Sequence, residues 1–422
     1  MTLKKMPKEE GFENGLKMLR EGYNYIPNRN KVYQSDAFET TLLGKKVVAM
    51  GGEEAGRLFY DESKIKRGGA APKFATATLL GEDGVQTLDD EEHRNRKKFF
   101  MDLMTDERIH DWGLILKKEL LKGGKTWMRK PSIVFYEESK KALTRAVCEW
   151  AGVPLPEKDV EKRTKQLANL FENVAEPNHN FAKGVVSRKT GTKWVEGLIE
   201  QVRNGELHPD KETALYQIAT HQNLDGSLID FHPAATDLLS VLRPTVAISI
   251  YMNFVALTLH QFPEMKEQLR KESIDGDYYK NFVQEVRRYY PFFPFNAGMA
   301  RKDFLWNGYA FEKDTMIVFD YYGTSHDERL WENPETFNPD RFEDWEVSPT
   351  DQVQFKLVAQ GGGDYLNGHR CPGEWNVVEA MKVTAEFLVN DIEYDIPEQD
   401  LGYSMVDMPT TPKSGIIMEN IR

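Results

Sequence analysis

The chain has 422 residues, 40% hydrophobic and 11% aromatic, enough for a sizeable core in one large domain or two to three ordinary ones. A formal net charge of -12 argues against a nucleic-acid partner and against docking on anionic lipid. The two cysteines, Cys148 and Cys371, lie far apart with no Cys-x-x-Cys pair, which excludes a disulfide framework and argues against zinc.

Met1 to Lys8 is polar and basic with no apolar run behind it, so no secretory signal is expected and a cytoplasmic location is. A short helix is predicted next, then a hairpin, Phe38 to Met50, with two β-prone runs around a Gly44-Lys45 turn. From about Glu91 to about Phe262 the apolar spacing is mostly helical. Within it, Pro233 to Phe262 predicts one helix about 45 Å long. Arg243 and Pro244 interrupt its apolar run, so no integral membrane segment is expected. Cys148, in Ala146-Val147-Cys148-Glu149-Trp150, reads as helical core. A second helix, Tyr278 to Tyr290, ends at Pro291; short strands follow from Phe304 to Asp320, then a proline-spaced stretch, Asn333 to Glu346. A helix is predicted from about Pro372 to Asn390, and Ile392 to Ile421 reads as strands and turns. With no repeat, low-complexity tract or linker, residues 1–422 are expected to form one domain, mainly α with small β-sheets at both ends.

The chemistry concentrates in Gly361-Gly362-Gly363-Asp364-Tyr365-Leu366-Asn367-Gly368-His369-Arg370-Cys371-Pro372-Gly373-Glu374-Trp375. A cysteine beside His369 and Arg370 at the start of a helix is expected to have a lowered pKa, and such a thiolate can ligate a metal or attack an electrophile. The residues alone leave a structural thiol open as well. Glu285 and Arg288 lie on one helix face, three apart, and with Arg341 of Pro339-Asp340-Arg341-Phe342 can form a network that holds an irregular loop. Arg243 is a cation in an apolar run, with Ser240, Leu239, Val246 and Ala247 at the i±3 and i±4 positions. A guanidinium cannot shed its charge, so its anion must come from elsewhere: a distant carboxylate, solvent, or a substrate carboxylate held by the guanidinium fork.

A helix with Glu-x-x-Arg, a Pro-x-Arg-Phe segment and a Cys followed by Pro-Gly, in that order, resemble the cytochrome P-450 heme-thiolate family over essentially the whole chain. The resemblance implies that family's triangular helical prism, with heme b between the long distal helix and the Cys-ligand helix. It also implies a Cys371 thiolate as iron ligand, which favours O–O cleavage. The chain departs from the common pattern. Asp364 and Asn367 stand where typical members have Phe and Gly. The acid–Thr pair of oxygen-using members is replaced by Leu239-Ser240-Val241-Leu242-Arg243-Pro244-Thr245-Val246-Ala247.

Arg243-Pro244, the run Gln284-Glu285-Val286-Arg287-Arg288-Tyr289-Tyr290-Pro291-Phe292 and Gly361-Gly362-Gly363-Asp364-Tyr365 look like the fatty acid peroxygenase branch of that family. That branch includes fatty acid α- and β-hydroxylases and a terminal-olefin-forming decarboxylase. The resemblance implies hydrogen peroxide as co-substrate, a long-chain free fatty acid as substrate and no reductase. Arg243 would hold the substrate carboxylate, which stands in for the missing acid, and the Pro244 kink would open room over the heme. Gln86 stands where the decarboxylase has His, and Leu80 where it has Phe, which favours hydroxylation. The Tyr365 and Trp375 context looks more like the decarboxylase, so both products are expected. The resemblance places Tyr60, Arg67, His93, Lys97 and Arg370 at heme propionates, and Phe292 and Phe295 near the acyl channel. The alternatives are a reductase-dependent monooxygenase, disfavoured by the missing acid–alcohol pair, and a non-catalytic heme sensor or fatty acid carrier, which would need no thiolate.

Overall fold

The structure, a computed structural model, describes residues 3–172, 179–345 and 355–422. Met1 of the basic N-terminal run, part of the helical stretch at 173–178, and Glu346 lie outside them. Among the described residues the architecture is helix-rich with three small sheets.

The hairpin forms as two antiparallel strands, Ala37–Leu42 and Lys45–Met50, in the register Ala37 opposite Met50 and Leu42 opposite Lys45. Its turn is Leu43-Gly44, one residue before the expected pair, with φ of 52° and 68°. Two consecutive positive φ values match the right-handed twist of the flanking strands. Glu13 caps the turn by accepting from the Gly44 N–H at 2.7 Å and the Leu43 N–H at 3.2 Å. The hairpin is the edge of a five-stranded sheet. Met316–Asp320 runs parallel to Lys45–Met50; Phe295–Ala300 and Ile65–Lys66 complete it, both antiparallel to their neighbours. Ser132–Val134 pairs with Ile417–Glu419, and Phe304–Trp306 with Tyr309–Phe311.

The main core lies among the helices. The expected long helix is two, Phe231–Ala247 and Ser249–Gln261, meeting at Ile248. Pro244 lies inside the first; it lacks a donor and crowds the preceding turn. The break falls four residues later, where the Ile248 N–H donates to the Thr245 carbonyl at 3.2 Å, an i−3 bond tighter than the α pattern. By length and composition the span of 31 residues passes as apolar enough to cross a membrane, but an 18-residue stretch of it is 94% buried within the fold, as the central helix of a helical core is. Cys148 is buried in that core, and burial pushes its thiol up to about 12.

Asp277–Tyr289 presents a fully buried Glu285 to two cations. Arg288 donates to it from Nε at 2.6 Å and Nη2 at 2.8 Å, Arg341 from Nε at 3.1 Å, and the Asn338 N–H at 2.9 Å. Arg341 also donates to the carbonyls of Glu332 and Thr336, at 2.8 Å and 3.0 Å, tying down a segment without regular structure. A carboxylate so enclosed is held by its partners, and removing its charge leaves two buried guanidiniums uncompensated. Glu285→Gln is expected to lower the free energy of unfolding by about 3–5 kcal/mol, measured by denaturant titration.

His326 is partly buried, stacked on Tyr322 with ring centroids 4.1 Å apart, and its Nδ1 lies 3.0 Å from the Tyr322 carbonyl. Burial first, and the Arg288 charge second, hold its pKa down to about 4. A depressed folded-state pKa contributes stability that is fully present above the unfolded value near 6.5 and is lost as pH falls through the folded one. Stability is therefore expected to fall by up to about 3 kcal/mol between pH 6.5 and pH 4. Denaturation midpoints across that range should show this slope, and His326→Gln should flatten it.

Candidate heme-thiolate site

Three parts of the chain build the site: the Cys371 loop, the Arg243 helix facing it, and the segment from Tyr60 to Lys97 at its side. In the loop, the Cys371 N–H donates to the Gln360 carbonyl at 2.9 Å, and the helix Glu374–Glu386 begins three residues on. Gly361 and Gly363 have φ of 90° and 81°, and a Cβ on Gly361 would lie 2.9 Å from the Tyr60 hydroxyl. Only glycine serves there, both for the backbone conformation and for the closeness of Tyr60.

Beneath the loop lies a group of charges that the motifs did not reveal. Glu374, buried, accepts from Arg370 Nε at 2.7 Å and from Arg287 Nη2 at 2.6 Å. Arg287 also donates through Nε to Gln360 at 2.7 Å, and Gln360 in turn donates to the Tyr251 hydroxyl at 3.1 Å. Arg287 sits beside Arg288, so one helix serves both carboxylates, Glu285 and Glu374. The signal was present in the sequence as the doubled arginine, but nothing local says that the neighbours point to different partners.

The expected lowering of the Cys371 pKa is not what the fold produces. Burial pushes the thiol above its ordinary value and outweighs the downward pull of Lys97, the Gly373 N–H and Arg287. His369 is not a cation: burial first, then the charges of Arg67 and its neighbours, hold its pKa well below the usual range. The Arg370 guanidinium is engaged by Glu374. A partly buried thiol whose pKa is raised suits metal ligation better than nucleophilic attack, because a coordinated metal deprotonates a thiol.

At the side, the structure brings most of the propionate candidates together. A cavity of about 270 Å³ is lined by Tyr60, Arg67, His369 and Asn367, among others. The Tyr60 hydroxyl is 2.7 Å from that of Tyr321, which also accepts from Asn296 at 3.0 Å. His93 stacks on His369, ring centroids 3.9 Å apart. Buried Lys97 donates to the Arg370 carbonyl. Arg67 is buried over the Phe59 ring at 3.9 Å; its Nε has no partner, and Nη2 reaches only the Phe59 carbonyl, at 3.4 Å. A buried guanidinium without a carboxylate to bond is an anion site in waiting. With the Cys371 sulfur, these groups fit a carboxylate-bearing metal macrocycle such as heme.

Facing the loop, Arg243 is 6% exposed and its Nε has no hydrogen-bond partner. Among the described residues no carboxylate pairs with it. Burial, then the charge of Arg188, depress its pKa to about 9, while the Cys371 sulfur acts in the opposite sense. Among the described residues neither a distant carboxylate nor, at this exposure, bulk solvent answers this cation. Gln86, in the turn Val85–Thr87, is held by Asp237 of the Arg243 helix, which accepts from the Val85 N–H at 3.0 Å and pairs with Arg96. The Gln86 Oε1 is itself unpartnered. Asp237 and Arg96 escaped sequence reading because they lie 141 positions apart.

The channel candidates divide. Leu80 and Phe292 pack against the main helical core, Phe292 stacked on Tyr251 with centroids 4.5 Å apart. Phe295 instead opens a strand and packs with Phe38, Val47 and Val318. The turn at Pro294 sets the two rings against different clusters.

Replacing Arg67 removes one charge-assisted partner. Arg67→Leu is expected to weaken heme retention by roughly tenfold or more, read as heme transfer to a competing acceptor protein, with helix content unchanged.

The Cytochrome P450 sequence profile matches residues 249–374. A solved structure of wild-type cytochrome P450EX alpha (CYP152N1) with myristic acid is 42% identical, covers 99% of each chain and has a TM-score of 0.94. One of a single-residue variant of cytochrome P450 OleT in complex with arachidonic acid is 33% identical, also covers 99% of each chain, and has a TM-score of 0.94. Among curated proteins, cytochrome P450 26B1 of Danio rerio is 22% identical over 94% of this chain and 82% of its own. Full-length identity of this order, on one backbone, makes the chain a member of the cytochrome P450 family, with heme as its cofactor, in the branch of P450EX alpha and OleT.

Proposed function

We propose that this enzyme is a fatty acid peroxygenase: it uses hydrogen peroxide to oxidise long-chain free fatty acids at the α or β carbon, without a reductase. The observation that carries the reading is Arg243, a buried guanidinium with no carboxylate partner among the described residues, on the helix facing Cys371. Its two solved relatives bind fatty acids, which supports the choice of anion.

A heme held by Cys371, with Arg67 and Lys97 at its carboxylates, supplies the peroxide-splitting and C–H-oxidising chemistry when bound. The protein's own contribution is placement and charge. Arg243 fixes the substrate carboxylate in a buried site, where the pair is worth far more than in water. Anchoring the head sets which carbons lie at the reacting centre, so regioselectivity follows from geometry. No carboxylic acid stands one turn from Arg243, so the bound substrate carboxylate is the group that takes and returns the peroxide proton. Leu80 and Phe292 form apolar wall for the chain. Gln86, a neutral amide, cannot donate a full proton, and hydroxy acid is therefore the larger product, with terminal alkene beside it. The reaction is placed in the cytoplasm.

Arg243→Ala is expected to cut fatty acid turnover by roughly a hundredfold or more, because the carboxylate loses the guanidinium that holds it. Heme content and the carbon monoxide-bound ferrous spectrum typical of thiolate ligation should be unchanged. Product analysis with a long-chain acid and peroxide alone measures both points. Turnover that required an electron-transfer partner would favour a monooxygenase, and undiminished turnover in the variant would remove Arg243 from its role.

A further inference from the structure

A second buried cation stands beside the first. Arg188 lies on the helix His179–Arg203, which packs along the Arg243 helix, and is 8% exposed. Its Nε donates to the Thr78 carbonyl at 2.9 Å and its Nη2 to the Leu79 carbonyl at 2.6 Å. Both carbonyls belong to the π-turn Thr76–Leu80, which ends on the substrate-wall residue Leu80. The third nitrogen, Nη1, is buried with no hydrogen-bond partner. Carbonyl dipoles leave the full positive charge in place, and among the described residues no carboxylate offsets it.

Beside the free nitrogen, two glycines let the turn carrying Leu80 and Gln86 pack closely against the Arg243 helix. A Cβ on Gly81 would lie 3.4 Å from Arg188 Nη1 and 2.6 Å from Thr236 Cγ2; one on Gly84 would lie 2.8 Å from the same Cγ2 and 3.1 Å from Gln86 Oε1. Thr236, Ser240 and Arg243 follow at i, i+4 and i+7, one face of one helix. Thr236 Oγ1, Ser240 Oγ, Arg243 Nε, Gln86 Oε1 and Arg188 Nη1 are all buried and unpartnered. The charges of Arg188 and Arg243 also repel one another across this face. Two mutually repelling guanidiniums are costly to bury, and one anion relieves both.

We propose that Arg188 is the second cation of the fatty acid carboxylate site, a positioning residue that makes the pocket select an ionised acid over a neutral chain of equal length. Its charge reaches the carboxylate through space, and its two tethered nitrogens fix the turn that carries Leu80. The inference rests on the peroxygenase reading of Arg243 and adds a determinant of specificity to it.

The test is equilibrium binding of tetradecanoic acid and tetradecanol to the heme-loaded enzyme, followed by calorimetry, in wild type, Arg188→Gln, Arg188→Lys and Arg243→Gln. Arg188→Gln should weaken the acid roughly tenfold while shifting the alcohol less than about twofold, and Arg188→Lys should restore most of the acid affinity. Equal losses for acid and alcohol would make Arg188 a mere tether of the turn and overturn the proposal, as would unchanged acid binding. Should Arg188→Gln not fold, loss of acid preference in a folded Arg188→Lys, which keeps the charge and gives up the double tether, overturns it equally. An acid affinity untouched by Arg243→Gln would overturn the underlying functional reading, whereas loss in Arg243→Gln without loss in Arg188→Gln overturns only the role of Arg188.

Discussion

Charge compensation divides this molecule in two. Beneath the Cys371 loop each buried carboxylate is held between two guanidiniums: Glu374 between Arg287 and Arg370, Glu285 between Arg288 and Arg341. Ion pairs this deep gain little net stability over apolar packing, but they tolerate no loss of a partner. They therefore lock the loop, the helix Asp277–Tyr289 and the irregular segment before Arg341 into one arrangement. The thiol of Cys371 inherits its position from that lock.

Across the site the balance is broken. Arg243 and Arg67 are buried without a carboxylate to hydrogen-bond, and each has an unpartnered Nε. A protein that compensates its charges so completely on one side does not leave them open on the other at no cost. On the proposed reading these cations are where ligands with carboxylates bind: heme propionates at Arg67, a fatty acid head at Arg243.

The kinked helix gives the substrate anchor its setting. Pro244 removes a donor and crowds the turn before it, and the helix breaks at Ile248, yet the helix pair stays largely buried. Asp237, six residues before Arg243, ties the Gln86 turn to the same helix through the Val85 N–H.

Much of this was legible beforehand because it is local. The hairpin, the helix ending at Pro291, the Glu-x-x-Arg pair and the glycine-rich cysteine loop depend on periodicity, turn residues and neighbours three or four positions apart. The oddity of Arg243 was legible too, since a charge in an apolar helical stretch without a nearby acid is a statement about adjacent residues. What the tertiary structure decided depends on burial and on long-range partners. His369 is neutral because the fold buries it and sets Arg67 beside it; Cys371 is desolvated and its thiol pKa rises when local charge alone predicts a fall. Phe295 packs apart from Phe292 because its strand pairs with Asp320, and Arg188 lies beside Arg243 because two helices pack side by side. Sequence determined which groups carry charge; only the fold decided which of those charges would be answered, because compensation is set by distances that no spacing along the chain records.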